Sequence, residues 1–320
     1  MKFNPISNAL LGIAVGDALG VPYEFLSRAN LDKNPAKEMT GYGSHGQPAG
    51  TWSDDTSLTL CLADALLNGY DLKNIAGNFI QWRLSMLWTA RGEVFDIGNT
   101  TSVAIRRLRD IIEYGKLVEL PLLKYQGEEW DNGNGSLMRI MPLLFHIKGM
   151  DIQRQFDIIW EVSALTHRHI RSAMACLIYL KLAEKILLGA DKNEAYNLTR
   201  KEIMAFWEAL DFSLKERGYF HRIILEDIRT IKREQINSGG YVIDPLEASI
   251  WCFLTYGNYQ ETVLAAVNLG SDTDTTAAIT GGLAGLYYGA ENIPEWWVAS
   301  LARLEDIIDL SEKLNQKYNS

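Results

Sequence analysis

Two acidic segments stand out in this 320-residue chain because carboxylates crowd together in each. The first is Ser53-Asp54-Asp55-Thr56, and the second is Ser271-Asp272-Thr273-Asp274-Thr275 towards the other end. Each precedes an apolar stretch, where such residues can cap a helix. Neighbouring carboxylates repel unless a cation or hydrogen bonds compensate, and clustered carboxylate and hydroxyl oxygens are the ligands that Mg²⁺, Mn²⁺ and Ca²⁺ prefer. The pattern itself leaves two helix caps and one shared metal site equally open.

Three further polar residues have simple structural explanations beside a chemical one. Glu24 follows the first apolar stretch in GVPYEF. An isolated glutamate is usually a solvated surface group, but the apolar neighbours of Glu24 make a solvated loop less comfortable. Asp96 and Asn99 lie in FDIGNTT, where both residue types commonly form turns.

The segment 131–139, DNGNGSLMR, predicts either a turn before a helix or a phosphate-binding loop. In the second interpretation, its backbone amides and Ser136 would approach phosphate oxygens. His167 and His169 lie two residues apart and would face different sides of a helix, which argues against metal ligation by the pair. A capping or structural role is the simpler interpretation for these histidines.

The elements that must position these residues are helices. Apolar residues recur at helical spacing in SLTLCLADALL, in SVAIRRLRDIIEYG and in a long buried segment that ends near Gly189. In the second of these, Val103, Leu108, Ile111 and Ile112 are expected to share one face. Strand signals and nucleotide-binding glycine motifs are lacking, which argues against an α/β sheet. Further helices are predicted over 193–209, 222–235, 246–256, 260–268 and 295–315.

The overall composition narrows the classes of function. The formal net charge of −9 argues against a broad nucleic-acid-binding surface, and 47% apolar residues provide material for a large core. The three cysteines lie in apolar stretches, so we expect buried thiols in a reducing compartment. The N-terminal apolar patch is interrupted by Asp17, and we expect neither a signal peptide nor a membrane span. These features predict a cytoplasmic protein.

Taken together, the motifs resemble the ADP-ribosylglycohydrolase family. The resemblance rests on segments that run in the family's order from residue 10 to residue 289, of which GTWSDDTS and the last are highly specific. The region around 180–235 matches poorly. The matching segments are LLGIAVGDALGVPYEF, GTWSDDTSLTLCLADAL, FDIGNTT, NGNGSLMRIMPL, LTH, GYVIDPLEASIW and VNLGSDTDTTAAITGGLAGLYYG.

The resemblance implies a compact, orthogonal all-α fold with two divalent cations, Mg²⁺ or Mn²⁺, in one cleft. It implies a single domain over residues 1–320. Residues 190–240 are more highly charged, and we expect them to form a peripheral helical layer. Many members have threonine where this chain has Ser53, which preserves a hydroxyl oxygen. The family's metal-binding positions correspond to Ser53, Asp54, Asp55, Asp272, Asp274 and Thr275. The catalytic candidates are Glu24 and Asp96, and the substrate-facing positions are Asn99, Asn134, Gly135, Ser136, Met138, His167 and Tyr241.

The implied activity is removal of ADP-ribose from an ADP-ribosylated protein or small molecule by cleavage of an N-glycosidic bond to arginine. Such cleavage builds oxocarbenium character on the ribose, as in glycoside hydrolysis generally. Glu24 would steer or deprotonate the attacking water, and Asp96 would orient the ribose or the leaving guanidinium. Two alternatives stay open: a hydrolase of another ADP-ribosyl linkage, to serine, an acetyl group or a nucleic-acid base, and a non-catalytic relative that binds ADP-ribose or a partner protein.

Overall fold

Helices form nearly all of the regular structure in the computed structural model, which describes residues 3–319. Over those residues the only strand-like pairings are two isolated bridges, Tyr42 with Gln47 and Gly133 with Tyr241. The all-α prediction is therefore confirmed. The α-helices are α1 (Pro5–Gly20), α2 (Arg28–Lys33), α3 (Asp54–Leu66), α4 (Leu72–Ser85), α5 (Asn99–Glu113), α6 (Leu143–Ile147), α7 (Ile152–Ala164), α8 (Ile170–Leu187), α9 (Lys192–Ala209), α10 (Leu214–Tyr219), α11 (His221–Ile224), α12 (Ile243–Thr255), α13 (Tyr259–Val267), α14 (Thr273–Tyr288), α15 (Glu295–Ser300) and α16 (Leu304–Asn319).

The antiparallel pair of α1 and α14 forms the centre of the molecule. Glycines spaced four residues apart on α1 face small residues of α14, so that the two backbones touch. A methyl group at Gly16 would overlap the carbonyl oxygen of Ala277, and one at Gly20 would overlap the backbone of Asp274. Only glycine permits this approach, since any side chain would force the helices apart. As a result, the end of α1 lies against the start of α14.

The segment Pro5–Tyr23, which includes α1, is by length and composition apolar enough to cross a membrane. A segment of this length was not expected from the sequence, because Asp17 interrupts the apolar run. Within the fold, 89% of the segment is buried, as in the central helix of a packed core. Its apolar character is accounted for by packing on all sides rather than on one face.

The apolar core includes residues from α1 to α16, and all three cysteines are buried in it as free thiols. Of the later predicted helices, those over 193–209, 246–256 and 260–268 correspond to α9, α12 and α13. The single domain over 1–320 and the peripheral position of 190–240 stay predictions.

The helix predicted over 222–235 is wrong. α11 ends at Ile224 and is followed by two short 3-10 turns, Ile228–Thr230 and Arg233–Gln235. The Asp227 side chain accepts the backbone N–H of Arg229, which starts the first turn. Tyr196 Oη accepts the N–H of Ile228 at 3.1 Å, so this amide is bonded outside any local helix. Bonds to side chains replace the helical pattern here.

The helix predicted over 295–315 is interrupted. α15 ends at Ser300 and α16 begins at Leu304. Between them the Ala302 amide donates to the Gly50 carbonyl at 2.9 Å, and Arg303 has a φ of +51°. The break ties the C-terminal helices to the loop that leads into α3.

The predicted apolar face of α5 is partly wrong. Leu108 and Ile111 are buried, but Val103 is 56% exposed. Ile105, three residues before Leu108, is the buried residue at the start of the face. The five residues from 103 to 108 turn the helix by about one and two-fifths turns, which places Val103 off the face.

Candidate active site

The starts of α3 and α14 and the end of α1 converge on one acidic cluster. We use this name for six carboxylates: Glu24, Asp54, Asp55, Asp96, Asp272 and Asp274. The close packing of α1 against α14 brings two of these helix ends together, and Asp17 of α1 holds the start of α3 beside them. Two backbone hydrogen bonds join the segment that follows α1 to the residue just before α14. They run from Phe25 N to Ser271 O at 2.7 Å and from Ser271 N to Leu26 O at 2.8 Å.

The first acidic segment begins α3, with Ser53 as the residue that caps the helix. The Ser53 hydroxyl accepts the Asp55 amide at 3.3 Å and also lies 3.1 Å from Asp55 Oδ2, to which it donates. The buried Asp17 carboxylate of α1 accepts the amides of Ser53 and Thr56 and the Thr56 hydroxyl, at 2.6–3.1 Å. Asp17 thereby satisfies backbone N–H groups at the start of α3. The aspartates of the cluster are not needed as hydrogen-bond acceptors for those groups.

The second acidic segment begins α14 and reaches both the first segment and the glycine-rich loop of residues 131–139. Thr275 Oγ1 donates to Asp55 Oδ2 at 3.2 Å, so residues 220 positions apart in the sequence are in direct contact. Asn134 Nδ2 donates to Asp272 Oδ2 at 2.7 Å. The two acidic segments therefore lie in one site rather than capping two unrelated helices.

Glu24 belongs to two groups of closely spaced side chains in the cluster. One carboxylate oxygen of Glu24, one of Asp272 and one of Asp274 lie within 4.8 Å of one another. A second group within the same distance joins Glu24 to His45 and Asp96. Asp96 comes from the loop before α5, has a φ of +50° and is partly exposed at the edge of the cluster.

Burial and mutual repulsion disfavour negative charge in the cluster. Burial raises the pKa of Glu24 to about 7, and the nearby Asp96 and Asp272 add to this rise. Burial also raises the pKa values of Asp54 and Asp274 well above that of a free aspartate, with neighbouring carboxylates contributing in each case. This arrangement is unfavourable unless a positive charge or protons compensate it.

The cluster fits a divalent cation. Among the residues that the structure describes, no donor reaches Asp55 Oδ1 or Asp274 Oδ2, although both oxygens are buried. Buried polar atoms normally have partners, and carboxylate oxygens without donors are what a hard cation requires. The donor set consists of carboxylates with the hydroxyls of Ser53 and Thr275 nearby, which suits Mg²⁺ or Mn²⁺ by its chemistry.

A cleft of about 320 Å³ opens above the cluster. Its walls come from the loop before α5, the start of α5 and the glycine-rich loop. Of the residues that the resemblance assigned, the cleft is lined by Glu24, Asp54, Asp96, Asn99, Asn134, Gly135, Met138, His167, Asp272 and Thr275. Ser53, Asp55 and Asp274 lie buried below this surface.

His167 and Gly135 fit together at one wall of the cleft. A methyl group at Gly135 would lie 2.6 Å from His167 Cε1, so glycine is needed there. Burial lowers the pKa of His167 to about 3, and its Nδ1 lies 2.9 Å from the Thr166 hydroxyl. His167 is therefore neutral near pH 7. His169 caps α8 by accepting the Arg171 amide, as the capping interpretation expects.

Ser136 and Tyr241 are not brought to the cleft surface. Ser136 is buried, and its hydroxyl accepts a hydrogen bond from Ser163 Oγ at 2.9 Å. The expected approach of this hydroxyl to a phosphate is therefore not seen. The Tyr241 ring lies 5.7 Å from the Arg171 guanidinium, and its neighbour Gly240 lines the cleft instead. The amide of Asn134 is already donated to the Gly240 carbonyl.

Sequence reasoning missed two residues of the site, Asp17 and His45. An aspartate inside an otherwise apolar helix was a usable signal for Asp17, because a buried carboxylate needs several donors. His45 lies in a different loop, GYGSHG (41–46), and nothing in that loop predicted a role for the histidine. Its Nε2 bonds to Glu24 Oε2, which raises the pKa of His45.

Comparison with known proteins decides the family. A model of the ADP-ribosylglycohydrolase family matches residues 3–320. The chain belongs to this family. The resemblance stated from the motifs is confirmed, and so is the assignment of the chain to the glycohydrolase enzymes.

Two curated relatives and one solved structure place the chain within the ADP-ribosylglycohydrolases. An ADP-ribosylarginine hydrolase Tri1 of Pseudomonas putida (strain GB-1) is 32% identical over 96% of this chain and 76% of its own length. An ADP-ribosyl-[dinitrogen reductase] glycohydrolase of Rhodospirillum rubrum is 26% identical over 92% of this chain and 88% of its own length. A solved ADP-ribosylglycohydrolase-related protein complex superimposes with a TM-score of 0.77 at 29% identity, covering 98% of this chain and 97% of the other.

Proposed function

We propose that the protein is a metal-dependent hydrolase that removes ADP-ribose from arginine by cleaving the N-glycosidic bond to the guanidinium. The observation that carries the proposal is the contact between the two acidic segments at the floor of the cleft, through Thr275 and Asp55. The name of the relative from Pseudomonas putida supports arginine as the acceptor.

The six carboxylates suit a reaction that builds positive charge on a ribose. As the bond from C1″ to the guanidinium nitrogen breaks, the ring acquires oxocarbenium character, which nearby negative groups stabilise. Water then supplies the oxygen at C1″, and its proton is balanced by the one gained on the leaving nitrogen. Divalent cations, Mg²⁺ or Mn²⁺, would supply Lewis-acid activation when held by the residues of the two acidic segments, Ser53, Asp54, Asp55, Asp272, Asp274 and Thr275.

Glu24 and Asp96 have different tasks in this proposal. Glu24 lines the cleft beside Asp272, so its carboxylate is the candidate for steering or deprotonating the attacking water. Asp96 stands at the rim and can orient the ribose or the leaving guanidinium. The walls formed by Asn99, Gly135 and Met138 would hold the rest of the ADP-ribose, with the neutral His167 as a hydrogen-bonding partner.

The proposed partner is an ADP-ribosylated protein or small molecule, with ADP-ribose as the product. Neither a membrane nor a nucleic acid forms part of the proposal, in keeping with the net charge of −9. We propose the cytoplasm as the compartment because the cysteines are free thiols. Since Glu24 and Thr275 meet in one cleft, we also propose that residues 1–320 act as one domain.

Alanine substitutions in the two acidic segments test the proposal. Asp54→Ala and Asp272→Ala should each lower kcat/KM for ADP-ribosylarginine by about 100-fold or more and remove its dependence on Mg²⁺ or Mn²⁺. Asp151→Ala is the control, because Asp151 is likewise an aspartate at the start of a helix but is exposed and lies outside the cleft. Circular dichroism should show that the variants are folded.

Full activity in both cluster variants would refute the shared metal site. A panel of substrates, with ADP-ribose linked to arginine, serine or an acetyl group, tests the acceptor. Preferential release from serine would retain the enzyme class and reject arginine. ADP-ribose binding without turnover on any substrate would favour the non-catalytic alternative.

A further inference from the structure

The imidazole of His45 is held in a fixed position beside the acidic cluster. Its ring lies between Phe25 and Phe95, with ring centroids 5.8 and 5.3 Å away. The side chain is 14% exposed, and its Nε2 bonds to Glu24 Oε2. Two aromatic neighbours and one hydrogen bond therefore restrict the rotation of this histidine.

The loop that carries His45 contacts Glu24 a second time. Ser44 Oγ donates to the Glu24 backbone carbonyl at 2.5 Å. A methyl group at Gly43 would overlap the Pro22 carbonyl, so glycine is needed for the loop to lie this close to the residues before Glu24. Gly43 also has a φ of +55°, which glycine adopts without strain. Both the backbone and the side chain of Glu24 are thus held by one short loop.

Glu24 needs such a restraint because two like charges lie close to its carboxylate. One of its oxygens lies within 4.8 Å of oxygens of Asp272 and Asp274. Repulsion favours rotation of the Glu24 side chain away from this pair, towards the open cleft. A donor on the opposite side offsets that tendency and orients the carboxylate, in the way that outer partners orient metal ligands.

We propose that His45 is the positioning residue that holds the Glu24 carboxylate against Asp272 and Asp274, so that the three groups can bind a divalent cation together. The proposal rests on the proposed function for the identity of the site. His45 acts through Glu24, since its Nε2 is engaged with the Glu24 carboxylate. It is not assigned a contact with substrate.

The test measures the affinity for Mn²⁺ alone by calorimetry, together with initial rates on ADP-ribosylarginine. His45→Phe keeps an aromatic ring between Phe25 and Phe95 but removes the hydrogen bond. It should weaken Mn²⁺ binding by about 10-fold or more and lower kcat more than it raises KM. His45→Gln can still donate from an amide and should recover most of the affinity. His221→Phe, an exposed histidine outside the cleft, is the control and should change the affinity less than about 2-fold.

A double substitution separates positioning from direct ligation. In a Glu24→Gln background, His45→Phe should cause less than about 2-fold further loss of Mn²⁺ affinity, because residues that act through one another are not additive. An equal loss in both backgrounds would show that His45 binds the cation itself and would overturn the proposal, as would unchanged affinity in His45→Phe. If His45→Phe does not fold, His45→Ala replaces it in the same comparison.

The two proposals fail in different ways. Absence of ADP-ribose release by the unmodified chain would reject the proposed function, while the Mn²⁺ affinities would still decide the role of His45. Normal release of ADP-ribose with unchanged affinity in His45→Phe would reject only the positioning role.

Discussion

Asp17 shows how one buried carboxylate can organise a site without entering the cleft. Its side chain is fully buried in α1, and burial raises its pKa to about 6. Bonds from Ser53 and Thr56 hold the start of α3 against α1. With those amides satisfied by Asp17, the side chains of Asp54 and Asp55 are free to take part in the acidic cluster. The arrangement of the cluster thus depends on Asp17, which bonds to the backbone at the start of α3 and does not line the cleft.

We expect Asp17→Ala to destabilise the protein by about 3 kcal/mol or more, because it leaves two buried amides and a hydroxyl without a partner. Denaturant unfolding measures the change. The control is Asp71→Ala at the exposed start of α4, where loss of the cap should cost about 1 kcal/mol. Equal effects of the two substitutions would mean that burial of Asp17 adds nothing to an ordinary cap.

At the scale of elements, the packing of α1 against α14 determines where the acidic groups meet. Glu24 follows the end of α1 by a few residues, and Asp272 stands just before α14. Because the helices are antiparallel and touch through glycines, these residues are brought to the same end of the pair. Tyr259 Oη donates to the Gly12 carbonyl at 2.7 Å, which adds α13 to this packing.

Gly16→Ala should destabilise the protein by about 2 kcal/mol or more, since the added methyl overlaps the Ala277 carbonyl and moves the helices apart. It should also weaken Mn²⁺ binding by separating Glu24 from Asp272. Gly77→Ala in α4 is the matched control, because nothing lies within 4 Å of the added methyl. That change should stabilise the protein by about 0.5–1 kcal/mol. Thermal unfolding and calorimetry measure both effects, and stabilisation by Gly16→Ala would contradict the packing argument.

At the scale of the whole molecule, the acidic cluster opposes folding when no cation is bound. Glu24 has a pKa of about 7 in the folded protein and an ordinary value near 4.3 in an unfolded chain. The folded state therefore binds more protons than the unfolded state over this interval, and stability falls as pH rises through it. Asp54 and Asp274 act in the same direction, because their pKa values are raised as well.

In EDTA, the melting temperature should decrease between pH 6.5 and 8.5. His167 contributes in the opposite direction because its pKa is lowered to about 3, but a histidine in the unfolded chain has lost nearly all of its proton by about pH 7.5, so the decrease should be clearest above that pH. Saturating Mg²⁺ or Mn²⁺ should raise the melting temperature and flatten its dependence on pH, because a cation replaces the missing protons. Asp54→Asn with Asp274→Asn should flatten the EDTA curve by removing the charges. A curve in EDTA that stays level or rises would contradict this account.

Local sequence patterns were enough to predict the helical class, most helix positions and the two acidic segments. Spacing of apolar residues is a local property, so α3, α9, α12 and α13 could be predicted from it. The helices predicted over 222–235 and 295–315 were wrong or interrupted where distant groups accept hydrogen bonds from backbone amides. Examples of such acceptors are Tyr196 Oη and the Gly50 carbonyl. Such bonds depend on tertiary contacts and leave no periodic signal.

That the two acidic segments form one site follows from contacts between distant parts of the chain and could not be predicted from either segment. Residue types left open whether Asp55 and Thr275 were parts of two helix caps, and their direct hydrogen bond answers that question. The placement of Ser136 in the core and of His45 beside Glu24 could not be inferred either, since both depend on which loops face one another. The sequence specified the chemical groups through their identity, whereas their separation in space followed from the close packing that Gly16 and Gly20 allow between α1 and α14.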